Sequence, residues 1–281
     1  MSMISNFLNM IKQISNTIEI PLIERIFFPT KPQENHVKSR KDNFGAIQLE
    51  DGSIGIVYLS LSPDVRERGA KIEPKEFYRA NPVNLAKRFG STDFFQKTLG
   101  LGAINAISQC VFRKSNFQFD FTTDSLGLLN LNSGDKVGMV GFFPPLVKQV
   151  ERKKIPLIVI EKKEQLVQKT DNCEVTLDSN RLKECNKVLI TSTTVLNNTI
   201  EDVLKKCSEA EKISIIGPTA GFLPDPLFNH NVQVVGSTYI SDSNLFMELV
   251  SQGKRWGPST KKYCIQQQSY KDFFSLLDQI E

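Results

Sequence analysis

At 281 residues the chain is long enough for two domains and for a core that needs no disulfide or metal to hold it. Apolar residues make up 40% and charged residues 23%, ordinary values for a globular protein. The formal charge is +4, from 35 basic and 31 acidic residues well mixed along the chain, which excludes the concentrated basic face of a nucleic-acid binder.

The five cysteines, Cys110, Cys173, Cys185, Cys207 and Cys264, are odd in number and lack the close spacing of a zinc knuckle or redox motif. Free thiols in a reducing compartment are the simplest expectation. The first 20 residues have neither a basic start nor a long apolar core, so no signal peptide is expected. No stretch approaches the roughly 20 apolar residues of a membrane span. The expected localisation is therefore cytoplasmic.

In chain order, Met3, Ile4, Phe7, Leu8, Met10, Ile11, Ile14 and Ile18 fall at helical spacing and predict an amphipathic helix over residues 3–19. Its polar face carries little positive charge, which favours packing against core or partner over a membrane surface. A break follows from Pro29 to Gln33. Phe44 to Leu49 and Ile54 to Leu59 are β-rich runs joined through Asp51-Gly52, a hairpin signal. Ser62 to Glu73 reads as a polar connection, and Pro74 to Phe77 and Pro82 to Phe89 as short helices with proline in the first turn. A longer helix follows, capped by Ser91 or Thr92, with a broad apolar surface from Phe94 to Val111.

After Asn132-Ser133-Gly134-Asp135 the pattern changes to short apolar runs alternating with helices. The strands are Lys136 to Val140, Leu157 to Ile160, Val188 to Thr191, Ile213 to Ile216 and Val232 to Val235. Phe143 to Lys153, Thr199 to Cys207 and Asp242 to Ser251 read as helices. Continuous apolar strands alternating with helices predict a parallel sheet covered on both faces. The tail from Lys254 carries a last helix over Tyr270 to Ile280, and its Lys261-Lys262 pair reads as solvated surface.

In such a sheet, ligands bind beyond the carboxyl ends of the strands. Four loops qualify. The first, Gly141-Phe142-Phe143-Pro144-Pro145, lacks the glycine fingerprint of dinucleotide sites, and its prolines remove N–H groups that hold phosphate, so NAD and FAD are not expected. The second is Glu161, placed either to accept from ribose hydroxyls or simply to face solvent beside Lys162 and Lys163. The third, Thr191-Ser192-Thr193-Thr194 with Asn197-Asn198-Thr199, concentrates more hydroxyls than helix capping requires. The fourth, Gly217-Pro218-Thr219 and onward to Pro226, has a shape fixed by glycine and proline. Only two histidines, His36 and His230, are present, the second read as an exposed turn residue. A His-based triad or closed zinc site is poorly supplied.

Val140 to Leu146, then Ile190 to Thr194 with Asn198-Thr199, then Ile216 to Thr219 resemble, in that order, the family described as putative heavy-metal chelation. Leu99 to Ala106 resembles that family's helix before its second half, and Phe228, Val232, Gly236, Asp242 and Gly253 continue the match. The resemblance implies an α+β, enolase-N-terminal-like domain over residues 41–132 and a Rossmann-like domain with a mostly parallel sheet over 133–253. Residues 1–40 would be a helical extension and 254–281 a tail. It also implies a ligand cleft between the two domains, with Asn105 facing the loops of the second.

The expected site is thus Asn105, Phe142, Phe143, Pro144, Glu161, Thr191, Ser192, Thr193, Thr194, Asn198, Gly217, Pro218 and Thr219. The expected function is binding of a small molecule, a metal or a metal complex. The alternative is a Rossmann-like enzyme acting on a nucleotide-like or S-adenosylmethionine-like ligand. No catalytic residue, metal ligand or cofactor can be named from the sequence, although a metal ion fits the resemblance. Neither nucleic acid nor membrane is an expected partner, and a homodimer is compatible with the chain.

Overall fold

A computed structural model describes residues 2–29, 43–73, 75–122, 124, 126–252 and 254–280. Thr30 to Gln33, His36, Pro74 and Gly253 lie outside the described residues. The first helix, α1 (Met3–Thr17), is capped by Ser2, whose hydroxyl accepts from Ser5 N at 3.2 Å. Its stripe of Met3, Phe7, Met10, Ile11 and Ile14 is buried, so the helix is core. Phe7 packs edge-on against both Phe89 and Phe222, tying together distant parts of the chain.

Strands β1 (Ile23–Phe27), β2 (Phe44–Leu49) and β3 (Ile54–Tyr58) form an antiparallel sheet in that order. The β2–β3 hairpin turns where Asp51-Gly52 predicts it: Gly52 takes φ +85°, and the Asp51 carboxylate accepts from Ser53 N at 2.9 Å. The strand β1 carries no sequence signal, because Glu24 and Arg25 interrupt its apolar pattern.

The predicted polar connection is in part a helix, α2 (Pro63–Gly69). Val65 is its one buried large side chain, too little to give a visible periodicity. Lys75 to Arg79 forms turns where a short helix was expected, and Pro82 to Phe89 divides into α3 (Pro82–Ala86) and a tighter 3₁₀ turn, Lys87–Gly90. The cap of α4 (Phe94–Lys114) is Asp93, not Ser91 or Thr92: its carboxylate accepts from Gln96 N at 2.9 Å. An ionised acceptor beside the helix N-terminus gains from the dipole as well as the hydrogen bond, which favours Asp93 for this place.

The second half builds one nine-stranded sheet. Its strands are β4 (Asp120–Phe121), β5 (Val137–Val140), β6 (Leu157–Ile160), β7 (Gln168–Lys169), β8 (Cys173–Thr176), β9 (Lys187–Thr191), β10 (Lys212–Ile216), β11 (Val234–Ile240) and β12 (Thr260–Gln266). They lie in the order β4-β12-β11-β10-β9-β5-β6-β8-β7. The six from β11 to β8 run parallel, and β12, β4 and β7 are antiparallel additions.

Alternate side chains of these strands enter two different cores. Val137, Met139, Leu157, Val159 and Leu189 pack with Val147 and Val150 of α5 (Pro144–Arg152). Val140, Ile158, Ile160, Val188 and Ile190 face the opposite way, into a larger core shared with α1 and α4. Burial on both faces is why these strands read as uninterrupted apolar runs.

Between β9 and β10 the chain makes two short helices, α6 (Thr193–Leu196) and α7 (Ile200–Lys205), and α8 (Asp225–Phe228) precedes β11. Two differences from expectation matter for function. Strand β11 continues to Ile240, five residues past Val235. The segment after it, α9 (Ser243–Ser251) aside, is not a detached tail but contributes β12 to the sheet. The terminal helix is α10 (Phe273–Leu277), shorter than the predicted 270–280.

Gly55 on β3 lies against α4, where an added Cβ would stand 2.2 Å from Gly102 O and 2.3 Å from Ala106 N. The obstacle is helix backbone, which cannot rotate away. Gly55→Ala is expected to lower stability by about 3 kcal/mol, seen as a reduced denaturant midpoint at unchanged slope.

The C-terminal segment is fastened through Asp225, which accepts from the Tyr270 hydroxyl at 2.7 Å and Phe273 N at 2.8 Å. Burial raises its carboxyl above the ordinary range, partly offset by the Tyr270 hydrogen bond. The folded protein therefore holds this proton to higher pH than the unfolded chain, and stability from the group falls as pH rises through the folded value. Tyr270→Phe removes the partner that favours the charged form. It should cost about 1 kcal/mol in acid and about 2–3 kcal/mol at neutral pH, measured by urea denaturation at both. An equal loss at the two values would contradict this account.

Candidate functional site

The strand order reverses between β5 and β9, and the loops leaving these strands carry most of the predicted residues. Gly141 leaves β5 at φ +94°, and the chain then turns through Phe142 and Phe143 into α5, with Pro144 and Pro145 in its first turn. Glu161, at the end of β6, fixes that turn: its carboxylate accepts from Phe142 N at 3.1 Å and from Lys162 N at 2.7 Å.

The four consecutive hydroxyl residues largely satisfy one another and the backbone. The Thr194 hydroxyl donates to Thr191 O at 2.7 Å, and the Thr191 and Thr193 hydroxyls stand 3.0 Å apart. Ser192 is buried, and its N–H donates to Ile216 O at 2.8 Å. Gly217 takes φ +140° directly against it, where a Cβ would stand 2.5 Å from Ser192 Oγ. Asn198 is an exposed turn residue at φ +58°, and Thr199 occupies the α7 cap position without a side-chain bond to the helix.

Asn105 and Thr219 meet in a closed seam rather than an open cleft. The Asn105 amide donates to Ile56 O at 2.7 Å and Thr219 O at 2.9 Å, and the Thr219 hydroxyl accepts from Tyr58 N at 3.1 Å. Both side chains are buried. Asn105 Oδ1 has no donor among the described residues.

The open volume lies to one side of these loops. A cavity of about 710 Å³ sits over the ends of β10 and β11. Beyond Gly236 the parallel partner β10 has ended, while Ser237 to Ile240 continue with β12 as their neighbour. This overhang forms one wall, with Ser237, Thr238, Lys262 and Cys264. Pro218, whose carbonyl accepts from the Ser237 hydroxyl at 3.4 Å, adjoins this wall, and Gly217, Phe143, Leu146, Asp124, Gly127, Arg255 and Trp256 complete the lining with others. Of the predicted set, Phe143, Gly217 and Pro218 reach this cavity. Asn105, Phe142, Pro144, Glu161, Thr191, Ser192, Thr193, Thr194, Asn198 and Thr219 do not line it.

The residues from Arg255 to Cys264 lie in the segment expected to be a tail, and none of them is among the expected site residues. The usable signal was the β-branched and aromatic content of Thr260 to Ile265 after the Trp256-Gly257-Pro258 turn. Lys261 and Lys262 are strand residues. The Lys261 ammonium stands 5.2 Å from the centre of the Phe121 ring, and Lys262 lines the cavity.

The family model described as putative heavy-metal chelation, DUF364, matches residues 124–267, the part of the chain that builds the large sheet and the cavity. The chain belongs to the DUF364 family. A relative from Methanocaldococcus jannaschii, an uncharacterized protein, is 30% identical over 191 residues, 66% of this chain and 70% of that one. The fold is that of a DUF364 protein of unknown function from Pyrococcus horikoshii, with a TM-score of 0.66, 18% identity, and 94% and 99% of the two chains covered. A second such protein, from Desulfitobacterium hafniense, superposes with a TM-score of 0.64, 19% identity, and 93% and 98% covered.

The donors for a bare metal ion are poorly placed in this DUF364 chain. Among the described residues, no three His, Cys, Asp or Glu side chains converge. Burial pushes the Cys264 thiol up to about 12, and it is the one cysteine on the cavity wall. Burial likewise raises Cys110 and Cys207 to about 12 and Cys173 and Cys185 to about 11. The other four lie away from the cavity wall, buried among apolar side chains. His230 is half-buried rather than exposed, with its Nε2 3.5 Å from Asn6 Nδ2. Among the described residues, no donor set fits a coordinated ion.

Glu161→Ala should free the amides of Phe142 and Lys162. Their hydrogen exchange should accelerate while the global stability changes by about 1 kcal/mol or less, because the carboxylate serves a surface turn. Unchanged exchange at Phe142 would show that the turn is held by other means.

Proposed function

We propose that the protein binds an organic small molecule in the cavity beside the β11–β12 overhang. The observation that carries this reading is a cavity of about 710 Å³ at the carboxyl ends of parallel strands, with mostly apolar walls and a few polar groups. That size and composition are typical of ligand sites. The parallel strands follow the order β8-β6-β5-β9-β10-β11, which supports a Rossmann-like reading of the large sheet.

The site draws on residues from both sides of the expected domain boundary: Asp124 and Gly127 before it, and the strand ends after it. It therefore keeps the idea of a site shared between halves, moved from the Asn105 seam to the overhang. The family's chelation label fits this chain best if any metal arrives already held by the organic ligand. The enzyme alternative rested on Glu161 as a ribose acceptor. That carboxylate instead holds backbone N–H groups and does not line the cavity.

The test is native mass spectrometry on protein purified without an affinity tag, beside the cavity-filling variant Leu146→Trp. Wild type should carry an organic molecule that the variant lacks. Adding that molecule back at 100 times its dissociation constant should raise wild-type stability by about 2.7 kcal/mol. Stoichiometric metal with no organic component, equal in both proteins, would overturn this reading in favour of direct chelation.

A further inference from the structure

Cavity walls also record what kind of molecule they accept. The charged residues on this one are Arg255, Lys262 and Asp124, two cations against one carboxylate. Asp124 is already engaged, its two oxygens accepting from Leu126 N and Leu128 N, each at 2.8 Å, so that it shapes the turn bearing Gly127. Arg255 forms no ion pair or hydrogen bond with the described residues. Neither Cys264 nor Tyr263 adds negative charge, since burial raises both to about 12. Carboxylates and ammonium groups both act on Cys264 in this wall, and the Arg255 guanidinium is the wall cation without a partner among the described residues.

Its apolar surface is flat and fixed. The Trp256 ring is held edge-on by Phe44, with centroids 6.1 Å apart, and by Phe246, at 5.6 Å, yet remains half-exposed on the cavity side of the chain. Phe143, Leu146, Ile216 and Pro218 add to this lining. A rigid aromatic wall favours a planar body, and unengaged guanidinium favours a carboxylate or phosphate over a neutral group.

We infer that the cavity selects an organic anion with a flat apolar body, its negative group paired with Arg255 and its body against Trp256. This inference rests on the cavity being the ligand site. Gly217 and Ser237 then border the body of the ligand without setting its charge.

Trp256 is the single tryptophan of the chain, so its emission reports on this cavity alone. Four probes of one ring size would be titrated: benzoate, phenyl phosphate, benzamide and benzylamine. The two anions should quench Trp256 saturably, with benzamide about tenfold weaker and benzylamine weaker still. In the variant Arg255→Gln, with its circular dichroism unchanged, benzoate should fall to the affinity of benzamide. Raising salt should weaken the anions and leave benzamide unaffected. Benzamide or benzylamine binding as tightly as benzoate would overturn the anion preference while leaving the cavity as a ligand site. Silence of Trp256 towards all four would overturn the site itself.

Discussion

The structure depends on the contact between α4 and the strands around it. This helix is buried nearly all round, so its residues show no single apolar stripe and must find partners on every side. On one side Gly55 allows the β3 backbone to approach that of Gly102 and Ala106, closer than any side chain would permit. On another, Gly100 performs the same task against Phe89. On a third, Asn105 binds a carbonyl of β3 and one of the β10 loop with a single amide. One turn later Gln109 donates to Gly221 O at 2.7 Å and to the Tyr263 hydroxyl at 3.3 Å. The small sheet, the β10 loop and β12 are thus positioned by one helix, and Tyr263 carries that positioning into the cavity wall.

What could be read from the sequence follows from how each element is stabilised. The core strands β5, β6, β9 and β10 are buried on both faces, so their own residues announce them. The hairpin announces itself through Asp51-Gly52, and α1 and α4 through length and apolar content. Elements stabilised mainly by a neighbour were silent. β8 and β7 lie in a charged stretch and pair at the sheet's edge. β12 draws its order from β11, and β1 from β2. The candidate site was half legible for the same reason. Phe143, Gly217 and Pro218 follow recognisable strands, whereas Lys262 belongs to a strand defined by its partner, and Arg255 and Trp256 to the turn that leads into it.

The hydroxyl cluster from Thr191 to Thr194 shows why composition misleads about chemistry. Hydroxyl residues at a strand end are equally good at receiving a ligand and at closing a tight turn. Here the chain must reverse from β9 into a one-turn helix, too short to satisfy its own ends. Thr194 and Thr191 supply those bonds locally, and Ser192 sits beneath Gly217, whose positive φ brings the two loops into contact. The cluster is a scaffold for the fourth loop. That loop, rather than the hydroxyls, presents itself to the cavity.

The displacement of the cavity from the strand-order reversal has a physical cause. At β5 and β9 the crevice is occupied by the turn through Thr191 and by the Glu161-held turn that leads into α5. At β10 the sheet ends, but β11 is prolonged by its antiparallel neighbour, which can follow it residue for residue without a crossover. Ser237 to Ile240 therefore have a ladder on one side, and on the other their backbone groups meet no strand among the described residues. An exposed strand edge is a row of donors and acceptors, and proteins cover such edges or use them. Placed beside a rigid indole and a guanidinium, this edge can orient a planar anion by its polar rim while the ring and the charge set its class. The antiparallel addition to the parallel sheet is then what makes the site, and the segment that resembled a tail is its principal wall.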